Sequence, residues 1–119
     1  MARILVVDDE PTNLDLAREL LQAMGHQVIE ADGADKALAL YREHPMDLVI
    51  TDIFMPKKDG LTLIKELLAA YPDAKIMAVG AGGHDVLELA ENAGAHKVMQ
   101  KPYRVKDLKD AVDDLLQTT

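Results

Sequence analysis

Short, unbroken apolar runs alternate along the chain with longer stretches in which apolar residues return every three or four positions. Ile4-Leu5-Val6-Val7 and Leu48-Val49-Ile50-Thr51 read as central strands of a parallel sheet covered on both faces. The first strand is Arg3 to Asp8, and its helix runs from Pro11, a favoured first-turn residue, to Gly25 as the stop. Leu14, Ala17, Leu20, Leu21 and Met24 give that helix one apolar stripe. Gln27 to Ala31 is the second strand, and Asp32 caps a helix through Tyr41 that ends before Pro45. The third strand ends at Asp52. After the turn pair Asp59-Gly60, a third helix is marked by Leu61, Ile64, Leu67, Leu68 and Tyr71. Lys75 to Val79 is the fourth strand and opens into Gly80-Ala81-Gly82-Gly83, a loop with little side chain to hold it. A fourth helix covers Asp85 to Asn92 and closes at Gly94. His96 to Gln100 is the fifth strand, Lys101-Pro102 its exit, and Val105, Leu108, Val112, Leu115 and Leu116 line the last helix.

Five β-α units without a linker or repeat predict a single α/β domain over residues 1–119. Right-handed crossovers place every β-to-α loop on one edge of the sheet, where ligands bind beyond the strands' carboxyl ends. That edge gathers Asp8, Asp9, Asp52, Gly80 and Lys101 from distant parts of the chain. Two carboxylates about 4 Å apart at an effective dielectric near 20 repel by about 4 kcal/mol, so such a cluster does not serve stability. It calls for a cation. Hard oxygen donors without His or Cys nearby favour Mg²⁺, or Mn²⁺, completed by water and a phosphate. Lys101 is a compact charge suited to a phosphoryl oxygen. With the metal present, a carboxylate can attack a phosphoryl group and form an acyl phosphate.

Composition narrows the setting. A chain of 119 residues can bury about two thirds of its unfolded surface, enough for an ordinary core. Absence of cysteine excludes disulfides and thiol chemistry and fits a reducing cytoplasm. Met1-Ala2-Arg3 precedes only four apolar residues, too few for a signal-peptide core or a membrane span, so a soluble cytoplasmic protein is expected. A net charge of -8 argues against direct nucleic-acid binding. His26, His44, His84 and His96 lack ligand spacing and read as surface or turn residues, and the methionines as core filling. Lys57-Lys58, Lys106 and Lys109 read as solvated.

Asp8-Asp9, Asp52 with Ile53-Phe54-Met55-Pro56, Asp59-Gly60, Gly94-Ala95 and Lys101-Pro102 together resemble the receiver domain of two-component response regulators, in order and spacing, over essentially the whole chain. The resemblance implies a flavodoxin-like three-layer (βα)5 sandwich with sheet order 2-1-3-4-5. It implies that Asp52 accepts a phosphoryl group from a phosphohistidine on a sensor kinase or phosphotransfer protein. It also implies that Asp9, Asp52 and the backbone carbonyl of Phe54 bind Mg²⁺, that Asp8 acts through water, and that Lys101 contacts the phosphoryl oxygen. The Lys101-Pro102 bond resembles the family's cis peptide. Tyr103 and Lys106 fall on the face receivers commonly use for partners, Tyr103 as an exposed anchor or a helix-start packing residue. A monomer or weak dimer is expected.

Two switch positions depart from the family. Its usual Ser or Thr at the end of the fourth strand is Gly80 here, and its usual Tyr or Phe in the fifth is Val98. A hydrogen bond to a charged acceptor contributes about 1.5 to 3 kcal/mol, so its loss weakens coupling roughly ten- to a hundredfold. Backbone N–H groups of the Gly80–Gly83 loop, such as that of Ala81, offer a substitute nest for the phosphoryl oxygens. Phe54 either shields an acyl phosphate or packs on the rim. The leading reading is a phosphoacceptor signalling module that acts catalytically only on itself and changes its binding to another protein. The alternative is a degenerate receiver working as a phosphorylation-independent interaction module. A phosphatase of the haloacid dehalogenase type would need an acid where Phe54 stands.

Overall fold

The computed structural model describes residues 2–117. The expected single domain extends to Met1, Thr118 and Thr119, which lie outside the described residues. Five strands alternate with five helices: β1 (Arg3–Val7), α1 (Pro11–Ala23), β2 (Gln27–Ala31), α2 (Ala34–Glu43), β3 (Leu48–Asp52), α3 (Gly60–Ala70), β4 (Ile76–Gly80), α4 (His84–Ala93), β5 (Lys97–Gln100) and α5 (Val105–Gln117). All pairings are parallel and the strand order is β2-β1-β3-β4-β5, a flavodoxin-like sheet that sets β1 beside β3.

Strand alternation splits the core between the two faces. Ile4, Val6, Leu48, Ile50, Met77 and Val79 pack under α1 and α5, against Leu14, Ala17, Leu21, Leu108, Val112 and Leu115. Leu5, Val7, Val49, Ile76 and Ala78 face α2, α3 and α4, against Ala37, Tyr41, Leu63, Ile64, Leu67 and Ala90. Each central strand is buried on both sides, which is why its sequence is continuously apolar.

Several boundaries differ from the sequence reading, each for a local reason. Gly33, not Asp32, occupies the cap position of α2, so Asp32 stands one residue too early to reach the free N–H groups of the first turn. Asp59-Gly60 is a helix start and not a free turn, because the Asp59 side chain accepts a hydrogen bond from the Thr62 N–H at 2.8 Å. β1 stops at Val7, since Asp8 turns its carboxylate back to the Glu10 N–H, 3.0 Å away. β4 runs to Gly80, which pairs with Gln100, and begins one residue later than expected. β5 begins at Lys97, because His96 turns its Nδ1 onto the Ile76 N–H at 3.2 Å. His26 likewise accepts from the Ala2 N–H at 3.1 Å, so two histidines finish strand ends at the edge away from the acids. Lys58 is not simply solvated: it pairs with Asp35 at 2.9 Å and Glu66 at 3.1 Å, tying the β3–α3 loop to two helices.

Gly60 is the tightest point of that loop. Its N–H donates to the Ile53 carbonyl at 2.8 Å, and an added Cβ would collide with the Asp52 carbonyl oxygen and the Ile53 backbone. Backbone is met here, not a yielding side chain. Gly60→Ala is therefore expected to destabilise the fold by about 3 kcal/mol, read as a lowered urea midpoint at unchanged slope.

Candidate functional site

Continuing the alternation past the strand ends explains why the charged residues meet. Asp8 has the parity of Ile4 and Val6, Asp52 that of Leu48 and Ile50, and Lys101 that of Met99. All three therefore emerge on the α1/α5 side of the sheet's carboxyl edge. Carboxylate oxygens of Asp8, Asp9 and Asp52 lie within 4.8 Å of one another. The Lys101 ammonium reaches Asp8 Oδ2 at 3.1 Å and Asp52 Oδ2 at 3.4 Å. The Lys101 N–H donates to the Gly80 carbonyl at 3.0 Å, anchoring that side chain's base to β4. Lys101-Pro102 is cis.

Burial lifts the Asp52 carboxyl above its ordinary value; the charge on Lys101 opposes this, Asp8 adds to it, and the backbone N–H of Phe54 favours the charged form. Burial also works against the Lys101 ammonium, but Asp52 and Asp8 outweigh it and raise the group above its usual value. One lysine against three carboxylates leaves the site negative, with hard oxygen donors and no softer ligand among them. That donor set fits a small divalent cation that keeps part of its water shell.

Gly80 and Val98 lie on the opposite face of the sheet. Val98 pairs with Ala78 and packs, half-buried, on the cluster under α3 and α4, with Gly80 its diagonal neighbour. Ile53 fills the space beside Gly80: a Cβ there would stand 2.8 Å from Ile53 Cδ1 and 3.2 Å from its Cβ. Tyr103 is not an exposed anchor. It is half-buried against the α1/α5 core, and burial raises its phenol above the usual value. Lys106 is exposed on α5, paired loosely with Asp110 at 3.9 Å.

A cleft of about 420 Å³ that sequence reasoning missed opens beside the acids, floored by Val6, Ile50 and Val79 and walled by Leu16, Ala17 and Tyr103. Its only signal was Leu16, an apolar residue off the α1 stripe, which is 51% exposed.

An acidic cluster with one lysine, at the carboxyl edge of a parallel sheet ordered 2-1-3-4-5, defines a receiver-type domain. The chain belongs to the response regulator receiver domain family, whose model matches residues 4–113. Chemotaxis protein CheY of Bacillus subtilis is 34% identical over 96% of this chain and 97% of its own length. The virulence sensor protein BvgS of Bordetella pertussis is 36% identical over 94% of this chain, which spans only 10% of that protein. Among solved structures, response regulator protein TrrA of Thermotoga maritima, in complex with Mg(2+)-BeF, is 37% identical with a TM-score of 0.89, covering 97% of this chain and 99% of that one. Receiver domains belong to two-component systems and interact in general with histidine kinases and downstream targets. No helix among the described residues is long and apolar enough to cross a membrane.

Because the Asp52 side chain is only 10% exposed among other acids, Asp52→Asn is expected to stabilise the metal-free protein at neutral pH by about 1 kcal/mol. Urea titration in chelator checks this, and added Mg²⁺ is expected to narrow the gap by favouring the wild-type fold. Gly80→Ser is expected to cost about 1 to 3 kcal/mol because it crowds Ile53. Adding Ile53→Val removes Cδ1, and a double-mutant cycle is expected to recover about 1 kcal/mol as coupling.

Proposed function

We propose that Asp52 is the phosphoacceptor of a two-component phosphorelay, taking its phosphoryl group from a sensor histidine kinase or phosphotransfer protein. The carrying observation is the Lys101 ammonium set between the Asp8 and Asp52 carboxylates, with Asp9 completing the acidic cluster. An Asp52 carboxylate oxygen attacks phosphorus, the P–N bond of phosphohistidine breaks, and its electron pair returns to the departing imidazole. Lys101 loses ion pairing with Asp52 as that oxygen becomes bonded, and its charge turns to the phosphoryl oxygens. Asp9, Asp52 and the Phe54 carbonyl would hold Mg²⁺, or Mn²⁺, with Asp8 acting through water; the metal supplies charge stabilisation to the transferring group. The Mg(2+)-BeF complex of the related TrrA supports this assignment.

In this reading the chain is no enzyme toward other substrates: it catalyses only its own phosphorylation and dephosphorylation. Phosphorylation changes its affinity for a downstream protein, with Lys106 and the Tyr103 region on the partner face and the cytoplasm as the setting. The domain acts as a monomer or weak dimer. Ile53, packed where a switch hydroxyl would need room, favours a second reading, an interaction module whose binding ignores phosphorylation.

Phosphoramidate, which carries a P–N bond, tests the first reading by intact-protein mass spectrometry. With Mg²⁺ the wild type is expected to gain one phosphoryl group, Asp52→Asn none, and Lys101→Met to react about a hundredfold more slowly. Chelator is expected to abolish the gain. Incorporation into Asp52→Asn at the wild-type rate would overturn the assignment.

A further inference from the structure

Phe54, the chain's one phenylalanine, stands two residues after Asp52 and is 54% exposed. Its two ends touch different parts of the fold. At the backbone it is separated from Asp52 by Ile53 alone, near enough for its N–H to favour the charged carboxylate. At the ring, Cε2 lies over Gly82: a Cβ built on Gly82 would fall 3.3 Å from it and 2.8 Å from Cγ2 of Val86. Val86 belongs to the first turn of α4 and packs on the core under that helix. Gly82 has φ +143 and Gly83 φ +81, so the loop follows a path that side chains resist. A side chain at position 82 would press first on Val86 and then on the ring, so the glycine leaves room for both.

We propose that Phe54 is a positioning residue that couples Asp52 to α4 through Gly82 and Val86, a route that bypasses Gly80 and Val98. The proposal rests on Asp52 being the phosphoacceptor. When the Asp52 carboxylate gains a phosphoryl group, the peptide that follows it feels the new charge directly. The ring moves with that peptide, and the loop from Gly80 to Gly83 has no bulky side chain of its own to hold it elsewhere. A small displacement at the acceptor becomes a change in how the first turn of α4 packs, since packed contacts switch between arrangements and do not deform smoothly. Leu89, 54% exposed on the same helix, lies on the element that would carry the change outward. Phe54 thus takes up the aromatic role that Val98 cannot.

Amide NMR of the full chain with Mg²⁺, before and after adding beryllofluoride, tests this in wild type, Phe54→Ala and Phe54→Tyr. In the wild type, shifts at Asp9, Asp52 and Lys101 are expected to be joined by shifts at Gly82, Val86 and Leu87. Phe54→Ala, which removes the ring and leaves the backbone carbonyl proposed to hold the metal, is expected to reduce the second group about fivefold relative to the first, while Phe54→Tyr, which retains the ring, restores that ratio. Gly82→Ala, whose added Cβ would press on Val86 and on the ring, is expected to reduce the α4 shifts as well. Full α4 shifts in Phe54→Ala, or none in the wild type beyond the pocket, would overturn the proposal. Silence at Asp9, Asp52 and Lys101 in every form would instead overturn the phosphoacceptor reading, and this proposal with it.

Discussion

Like charge held together at the end of a buried sheet is the constraint on which the rest depends. Carboxylates of Asp8, Asp9 and Asp52 stand within 4.8 Å of one another. In water they would separate; here two central strands, each fixed by packing on both faces, hold them in place. Lys101 answers part of the charge from the far side of the edge, and its own backbone is fastened to Gly80. The remaining negative charge leaves a set of hard oxygen donors that fits a small cation. A receiver domain uses that debt of stabilisation to make its acceptor responsive.

Most of this was legible in the sequence because the informative signals are periodic. The unbroken apolar runs required burial on both faces, which required a parallel sheet, which brought Asp8, Asp52 and Lys101 to one edge through handedness alone. The relative order of β1 and β3 came from the family resemblance, since alternation does not fix which strands are neighbours. What escaped depends on a single residue's depth or rotamer. Asp32 and Gly33 are both plausible caps by type, and only the helix start decides between them. Tyr103 has the composition of an exposed anchor, yet its burial follows from how α1 and the loop after β5 lean together, which no local pattern encodes. The cleft beside Asp52 escaped for the same reason: it is a gap between elements, floored by core residues whose pattern does not reveal that one side is left open.

Parity along the strands separates two functions that receivers carry together. Asp8, Asp52 and Lys101 project to the α1/α5 side, whereas Gly80 and Val98 lie on the side of α3 and α4. The acids proposed for chemistry and the positions proposed for the switch thus lie on different faces of one sheet and meet at the loops. A chain can keep the first while altering the second. Ile53 shows the alteration in packing terms: buried beside Gly80, it occupies room that a hydroxyl-bearing side chain would need.

In the proposed reading, two links lead away from Asp52: Lys101, whose N–H donates to the Gly80 carbonyl, and the segment that follows Asp52 in the chain. Ile53 crosses by packing on Gly80, but its side chain is fully enclosed and has little freedom to report a change. Phe54 crosses by a contact that is half open to water, over a glycine whose backbone tolerates more than one path. Freedom to move without breaking the core belongs to the second contact alone. In the proposed coupling, rigidity falls to Ile53 and communication to Phe54, which makes the identity of residue 82 as consequential as that of the ring above it.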